Sequence, residues 1–163
     1  MKVRCLSIRQ PWVWHILRPD ITDPATRAHA IAHDIIKTLE NRSRRTGMRG
    51  GFLVHAAQGM TEGDFWCCAH TAADALAGKK MLDGSLAPRP TPKDAPRGGI
   101  VGYANLHNCV EHSTSPWYMG EYGYILKDNT PLPFLPCKGM LGFFWAEVPD
   151  DYLPAHLHEG LMS

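Results

Sequence analysis

Apolar and polar residues alternate along the chain in short stretches that predict strands, and stretches with helical spacing lie between them. The stretches with strand character are 3–8, 37–43, 51–57, 98–110, 121–128 and 139–148. The stretches with helical spacing are 11–17, the second part of 18–36, 61–77 and 153–161. Asp23 or Thr22, followed by Pro24, suits the start of the second helix. Thr61 or Asp64 suits the start of the third.

The order of these elements is strand, helix, strand, strand, helix and then several strands, which predicts the fold class. The pattern lacks a regular alternation of strands and helices with long parallel connections, and glycines mark the corners between short strands. We therefore expect an α+β fold: a small β-barrel of mixed strands, partly open, with flanking helices. The 163 residues fit a single domain, with its core at 3–148 and a long loop rich in proline and glycine at 83–98.

The composition is that of an ordinary globular protein, with 44% hydrophobic and 20% charged residues. No apolar run approaches the roughly 18 residues that cross a bilayer, and the N-terminal MKVRCLSIRQPW lacks the features of a signal peptide. We therefore expect a cytoplasmic protein with no membrane partner. The five cysteines are irregularly spaced, and the nearest zinc pattern is Cys67-Cys68-x-His70 without any CxxC pair. We expect neither a disulfide framework nor a metal site.

Positive charge is concentrated in the first part of the chain. Residues 1–50 carry ten Lys and Arg against four acidic residues, whereas the remainder carries seven against twelve. This asymmetry indicates either a basic face for phosphates or two halves whose charges interleave on folding and cancel. The chain has no GxxxxGKS loop, GxGxxG turn, HExxH or GxSxG motif, so we expect no nucleoside triphosphate, dinucleotide or other cofactor.

Five blocks of sequence together resemble the ASCH family, which belongs to the PUA-like superfamily. In chain order they are LSIRQPWVWHIL, KTLENRSRRTGMRGGFLVHAA, GGIVGYANLHNCV, SPWYMGEYGYIL and PCKGMLGFF. The resemblance implies a PUA-like barrel with a cleft lined by the QPW segment, the KTxExR segment and the end of a later strand. Two departures from the family pattern, an insertion near 18–35 and the long loop at 83–98, are expected to remodel the rim of that cleft.

Lys37 and Glu40 are the candidate catalytic residues. They point to opposite faces of an extended chain, but a turn or bulge near Thr38 would bring them together. A Lys–Glu pair in a cleft can serve acid–base chemistry, or it can be a structural ion pair that closes the end of the barrel. In the family branch that resembles an N4-acetylcytidine amidohydrolase, the nucleophilic threonine falls at Glu40. In this chain Glu40 would therefore act as a base on water.

Eight further residues are candidates for binding RNA or a nucleobase: Arg9, Gln10, Trp12, Asn41, Arg42, His55, Trp117 and Tyr122. Gln10 suits a base edge, and we expect it to converge with Lys37 and Glu40 on one cleft. Trp12 offers a stacking surface, and the arginines suit phosphates. Trp117 and Tyr122 either form a second wall of the cleft or plug the barrel end. His55 either bonds a base or is satisfied by backbone.

Three functions remain open at this point. The first is an RNA- or nucleobase-binding ASCH domain with a polar Lys/Glu cleft. The second is an enzyme, either an amidohydrolase acting on a modified nucleoside such as N4-acetylcytidine or a nuclease-like protein, as branches of the family imply. The third is a protein-interaction adaptor that keeps the scaffold without a working site.

Overall fold

The computed structural model describes residues 1–88 and 91–162, and this part of the chain forms six strands and four helices. The strands are β1 (Lys2–Ile8), β2 (Leu39–Arg42), β3 (Gly50–Ala56), β4 (Gly99–Val110), β5 (Tyr122–Pro136) and β6 (Phe143–Glu147). The helices are α1 (Trp12–Leu17), α2 (Pro24–Ala32), α3 (Glu62–Leu76) and α4 (Ala155–Met162). Each stretch with predicted strand or helix character overlaps one of these elements.

The strands form one mixed, curled sheet in the order β2-β5-β4-β3-β1-β6. β1 is parallel to β3, and every other neighbouring pair is antiparallel. The β4–β5 ladder shifts register at three points and the β3–β4 ladder at one. Such irregularities increase local twist and bend a sheet. The result is a half-barrel with flanking helices, which confirms the predicted α+β class and the partly open sheet.

The helix starts follow the local sequence. The Asp23 carboxylate accepts from the Thr26 backbone N–H at 2.9 Å, and Pro24 follows in the first turn of α2. Thr61 and Asp64 form a reciprocal capping box at the start of α3. These contacts satisfy backbone donors that have no partner within the helix. Asp23 is therefore the cap of α2, and both Thr61 and Asp64 contribute to that of α3.

β5 extends eight residues beyond the predicted stretch, which ended at 128. The added segment contains Pro131, Pro133 and Pro136, which lack an N–H and therefore argue against a strand. In the structure it pairs with β4 across the register shifts, with Pro131 opposite Gly102 and Pro136 opposite Gly99. Of the predicted loop at 83–98, Arg89 and Pro90 lie outside the described residues.

Alternate residues of the central strands supply two layers of core. On one face, Leu6 and Ile8 of β1 pack with Phe52 of β3 and with Ile16 of α1. On the other face, Val3 and Cys5 of β1 pack in a cluster that includes residues of β3, β4 and α4. This period of two is expected for a sheet covered on both faces. The Glu40 region described below lies beside the first of these layers.

The inserted segment near 18–35 builds a third core cluster. Ala30 of α2 packs with Ala72 and Leu76 of α3, and with Trp117. Among the described residues, none from 18–35 lines the cleft that contains Glu40. The expectation that this insertion remodels the cleft rim is therefore wrong; the insertion supports α3 instead.

None of the helices in residues 1–88 and 91–162 has the length and apolar character required to span a bilayer.

Candidate functional site

The turn between α2 and β2 brings Lys37 and Glu40 together. The Lys37 N–H donates to the His15 carbonyl at 2.9 Å, and the Thr38 carbonyl accepts from Leu126 at 2.8 Å. These bonds fix the backbone so that the Lys37 ammonium donates to the Leu39 carbonyl and, at 3.2 Å, to Oε1 of Glu40. Lys37 and Glu40 therefore meet as predicted, although the backbone turns at residues 33–34 and not at Thr38.

Glu40 lies between two cations. Its Oε2 accepts from Nε of Arg42 at 3.1 Å, and Nη2 of Arg42 donates to the Ser7 carbonyl at 2.8 Å. The Lys37 ammonium lies 5.4 Å from the centre of the Trp12 ring. Lys37 is fully buried, whereas 9% of the Glu40 side chain is exposed. Glu40 is therefore the member of the pair that reaches solvent, and Lys37 holds its carboxylate from behind.

Glu40 lines a cleft of about 580 Å³. The same cleft is lined by Arg9, Trp12, Asn41 and Arg42, which were all predicted site residues. The opposite wall was not predicted and consists of Met119, Gly120 and residues 140–142. Met119, Met140 and Leu141 are strongly exposed. The cleft thus combines a carboxylate with an aromatic ring and a flexible apolar rim.

Gln10 does not converge with Lys37 and Glu40, and this prediction is wrong. Its side chain is buried: Nε2 donates to the Pro96 carbonyl at 2.9 Å, and Oε1 accepts from the Trp14 backbone N–H at 3.0 Å. The Trp14 N–H lies in the first turn of α1 and has no partner within the helix. The amide of Gln10 is therefore used in starting the helix and does not face the cleft.

Trp117 does not form a second wall of the cleft. It is fully buried in the third core cluster, and its indole Nε1 donates to the Asp34 carbonyl at 2.8 Å. Tyr122 packs against the first core layer, with the Arg45 guanidinium 5.6 Å from its ring centre. Neither aromatic residue lines the cleft; both are packing residues, and Met119 and Gly120 line the cleft instead.

Asn41 lines the cleft, but both ends of its amide bind backbone. Nδ2 donates to the Trp117 carbonyl at 2.9 Å, and Oδ1 accepts from the Met119 N–H at 2.8 Å. These bonds tie β2 to the segment that carries the opposite wall. Asn41 therefore holds the two segments together, and one N–H and one acceptor position of its amide are left for a ligand.

The basic residues of the first part of the chain meet acidic residues of the second. Arg9 pairs with Asp64 of α3, and Arg45 pairs with Glu111. Both arginines are more than half exposed. The charges of the two halves therefore interleave at these points. Arg44 and Arg49 are exposed in the segment between β2 and β3. Neither forms an ion pair with any described residue.

His55 lies in an adjacent cleft of about 700 Å³. The two clefts share Ser7, Ala57, Met140 and Leu141. His55 is almost fully buried, and its Nε2 lies 2.7 Å from the Cys137 carbonyl. Backbone satisfies one ring nitrogen, as one of the two predicted roles requires. The other ring nitrogen faces Ser7, a residue to which the sequence assigned no separate role.

Within residues 1–88 and 91–162, no group of three or more His, Cys, Asp or Glu side chains is arranged to hold a metal ion. Of the nearest sequence pattern, Cys67 is exposed, whereas Cys68 is buried. Burial raises the pKa of the Cys68 thiol to about 12, so this thiol stays protonated at neutral pH.

His15 is a buried titratable residue behind the site that sequence reasoning missed. It is fully buried, its carbonyl accepts from Lys37, and its Nδ1 has no hydrogen-bond partner among the described residues. Burial, together with the smaller effect of the Arg18 and Lys37 charges, lowers the pKa of His15 to about 3. The imidazole is therefore neutral in the folded protein at neutral pH.

We expect His15 to make stability depend on pH. The unfolded histidine titrates at a pKa of about 6.5, so below that pH the unfolded state binds a proton that the folded state does not. The stability contributed by neutral His15 is present above pH 6.5 and is lost as the pH falls towards 3, by about 1.4 kcal/mol per pH unit. Urea unfolding at several pH values should show this slope in the parent and a flatter one in His15→Phe. Equal slopes in both proteins would contradict the burial argument.

Comparison of the chain with family models and with curated protein sequences gives no match. The class of the molecule therefore rests on its own geometry: a half-barrel with an acidic group at the floor of an open, partly aromatic cleft.

Proposed function

We propose that this protein is an ASCH-type domain that binds single-stranded RNA by capturing a nucleobase in the Glu40 cleft. One observation carries the proposal: the Glu40 carboxylate is held between Lys37 and Arg42 at the floor of a cleft that Trp12 also lines. A nucleobase is a planar group with N–H donors on its edge. The cleft offers a matching acceptor and an aromatic surface.

The carboxylate supplies the specificity. An ionised carboxylate has about four acceptor positions, and Lys37 and Arg42 occupy positions on both oxygens of Glu40. The exposed part of Glu40 can accept from the amino group of a base, as acidic side chains accept from cytosine N4. The two cations fix the direction of the carboxylate. The site should therefore favour bases with an amino group, cytosine in particular, over uracil.

Stacking and phosphate contacts supply most of the affinity. Trp12 is half-buried and lines the cleft, so it can stack on the bound base, while Met119 and Met140 enclose it from the other side. Arg44 and Arg49 are exposed in the segment between β2 and β3, where Arg44 directly follows Ser43, a residue of the cleft lining. Their guanidinium groups suit the flanking phosphates.

The burial of Lys37 favours binding over amide hydrolysis. Its ammonium is fully covered and already donates to Leu39 and Glu40, so it has no direct path to the carbonyl of a bound amide. Transition-state stabilisation requires a donor at the position of the developing oxyanion. An RNA titration separates the proposed function from the adaptor, and incubation with N4-acetylcytidine separates it from the amidohydrolase.

We expect Trp12→Ala to weaken binding of a labelled cytidine octamer by about 5- to 150-fold, because a stacked base is worth about 1–3 kcal/mol. Fluorescence anisotropy measures the affinity. Trp145→Ala is the matched control, since Trp145 is an exposed tryptophan on β6, outside both clefts. Glu40→Gln should reduce the preference for cytidine over uridine octamers, whereas Glu159→Gln on α4 should not.

Salt dependence supplies the second readout. Each neutralised phosphate of a single strand contributes about −0.7 to the slope of log affinity against log salt concentration. Contacts from Arg44 and Arg49 predict a clearly negative slope, reduced in the Arg44→Gln variant. No binding at low salt, or equal affinity in the parent and Trp12→Ala, would exclude the proposed mode of binding.

A further inference from the structure

A serine and a histidine form a hydrogen-bonded pair in the second cleft. Oγ of Ser7 lies 3.1 Å from Nδ1 of His55, and both residues line this cleft of about 700 Å³. The parallel pairing of β1 with β3 places them opposite each other, although they are 48 residues apart in the chain. The side chains of this pair do not bond to Lys37, Glu40 or Arg42, although the Ser7 carbonyl accepts from Arg42 and Ser7 also lines the Glu40 cleft.

The backbone fixes the proton positions in this pair. Nε2 of His55 lies 2.7 Å from the Cys137 carbonyl, which can only accept, so Nε2 carries a proton. In the neutral imidazole Nδ1 is then an acceptor, and the Ser7 hydroxyl donates to it. This is the arrangement of an activated nucleophile: hydroxyl, base, and a third group that orients the base. Here a backbone carbonyl takes the orienting position.

The imidazole is held firmly on its remaining sides. The β3–β4 ladder shifts register between Val54 and His55, and bulges of this kind redirect side chains. The Phe144 ring meets the imidazole edge to face, with 5.6 Å between the ring centres. A Cβ atom added to Gly139 would lie 2.4 Å from Cε1 of His55, so the backbone at Gly139 packs directly against the ring. Such support keeps a catalytic base in place.

We propose that Ser7 and His55 catalyse the hydrolysis of small carboxylic esters. Oγ of Ser7 attacks the acyl carbon while its proton passes to Nδ1 of His55. The bond to the alcohol oxygen breaks, that oxygen takes the proton from Nδ1, and the acyl group remains on Ser7. Water then attacks the acyl carbon and gives a proton to Nδ1. The Oγ–carbon bond breaks, Ser7 recovers the proton, and the carboxylic acid leaves.

The lining of the cleft indicates the substrate class. Met140 and Leu141 offer apolar surface for a short acyl chain. Among the described residues that line this cleft, Lys138 is the one with a permanent charge, and its ammonium favours a developing oxyanion or an anionic leaving group. The substrate is therefore an ester of a short-chain acid. This activity does not depend on RNA binding at the Glu40 cleft.

A fluorophosphonate probe tests the nucleophile. The protein should form a covalent adduct that peptide mass spectrometry locates on Ser7 and not on any of the five other serines of the chain. Hydrolysis of p-nitrophenyl butyrate should fall about 10²- to 10⁴-fold in Ser7→Ala and in His55→Gln, the usual contribution of a positioned base and its nucleophile. Ser113→Ala, a serine outside both clefts, should behave as the parent.

The outcomes decide the proposal in either direction. An adduct on another serine, no adduct on the folded parent, or ester hydrolysis that survives Ser7→Ala would overturn it. Ser7→Ala removes one hydroxyl only, so the test stands even where His55→Gln fails to fold. RNA affinity measured on His55→Gln keeps the two proposals apart, because His55 lines the second cleft and not the Glu40 cleft, which Ser7 also lines. Loss of esterase activity with unchanged RNA binding supports this proposal alone.

Discussion

Replacing Glu40 with leucine should lower the free energy of unfolding by about 3–5 kcal/mol, because it leaves the Lys37 charge buried without its carboxylate. Lys37 is fully covered, and its ammonium has Glu40 as its anionic partner within hydrogen-bond distance. Moving such a charge out of water costs far more than the lost hydrogen bond. Urea unfolding followed by circular dichroism measures the loss.

A double variant separates the cost of leaving the Lys37 charge without a partner from the cost of losing the packing contacts of Glu40. Lys37→Met combined with Glu40→Leu removes both charges and should recover a large part of the stability, since apolar residues of similar volume often replace a buried ion pair at little cost. Glu159→Leu, on the exposed face of α4, is the matched control and should change stability by less than about 0.5 kcal/mol. A double variant no more stable than Glu40→Leu would contradict the buried-charge argument.

Trp117→Ala should also destabilise the fold by about 3–5 kcal/mol, the usual cost of removing a large aromatic residue from a core. The change opens a cavity between α2 and α3 and leaves the Asp34 carbonyl without the indole N–H. For a domain of this size the loss corresponds to a fall in Tm of roughly 10 °C. Thermal unfolding of the parent and variant gives this difference directly.

The same variant distinguishes a core residue from a cleft residue. At a temperature where Trp117→Ala remains folded, its RNA affinity should stay within a few-fold of the parent, whereas Trp12→Ala should show the weakening of about 5- to 150-fold given above. Trp117→Phe keeps most of the volume and isolates the hydrogen bond to Asp34, worth about 1 kcal/mol. Strong loss of RNA binding in Trp117→Ala without loss of stability would contradict the core assignment and indicate that Trp117 contacts the RNA.

Local sequence patterns predicted the start of a helix well where a capping residue or a proline determines it. Asp23 and Pro24 mark the start of α2, and Thr61 with Asp64 marks that of α3. The length of β5 was underestimated because the prolines in its second half oppose strand formation locally. Pairing with β4 across irregular register overrides that preference. Tertiary pairing of this kind has no counterpart within a short window of sequence.

The candidate site was predicted only where local sequence decides the contact, and not where it depends on tertiary structure. Lys37 and Glu40 are three residues apart, so a single turn decides whether they meet. The roles of Gln10 and Trp117 depend on which backbone groups lack a hydrogen-bond partner elsewhere. Gln10 accepts from the Trp14 N–H, and Trp117 donates to the Asp34 carbonyl. Residue type alone says that a side chain can form hydrogen bonds. It does not say which distant group will use them.

The position of β1 in the sheet has a consequence for synthesis of the protein. One edge of β1 pairs with β3, which follows within 56 residues of the start, but its other edge pairs with β6 at Phe143–Glu147. As the chain leaves the ribosome from its N-terminal end, that second edge stays open until nearly all the described residues have emerged. An open strand edge is a template for pairing with other chains. Nascent copies on one messenger RNA therefore carry a shared risk of cross-pairing that ends only when β6 arrives.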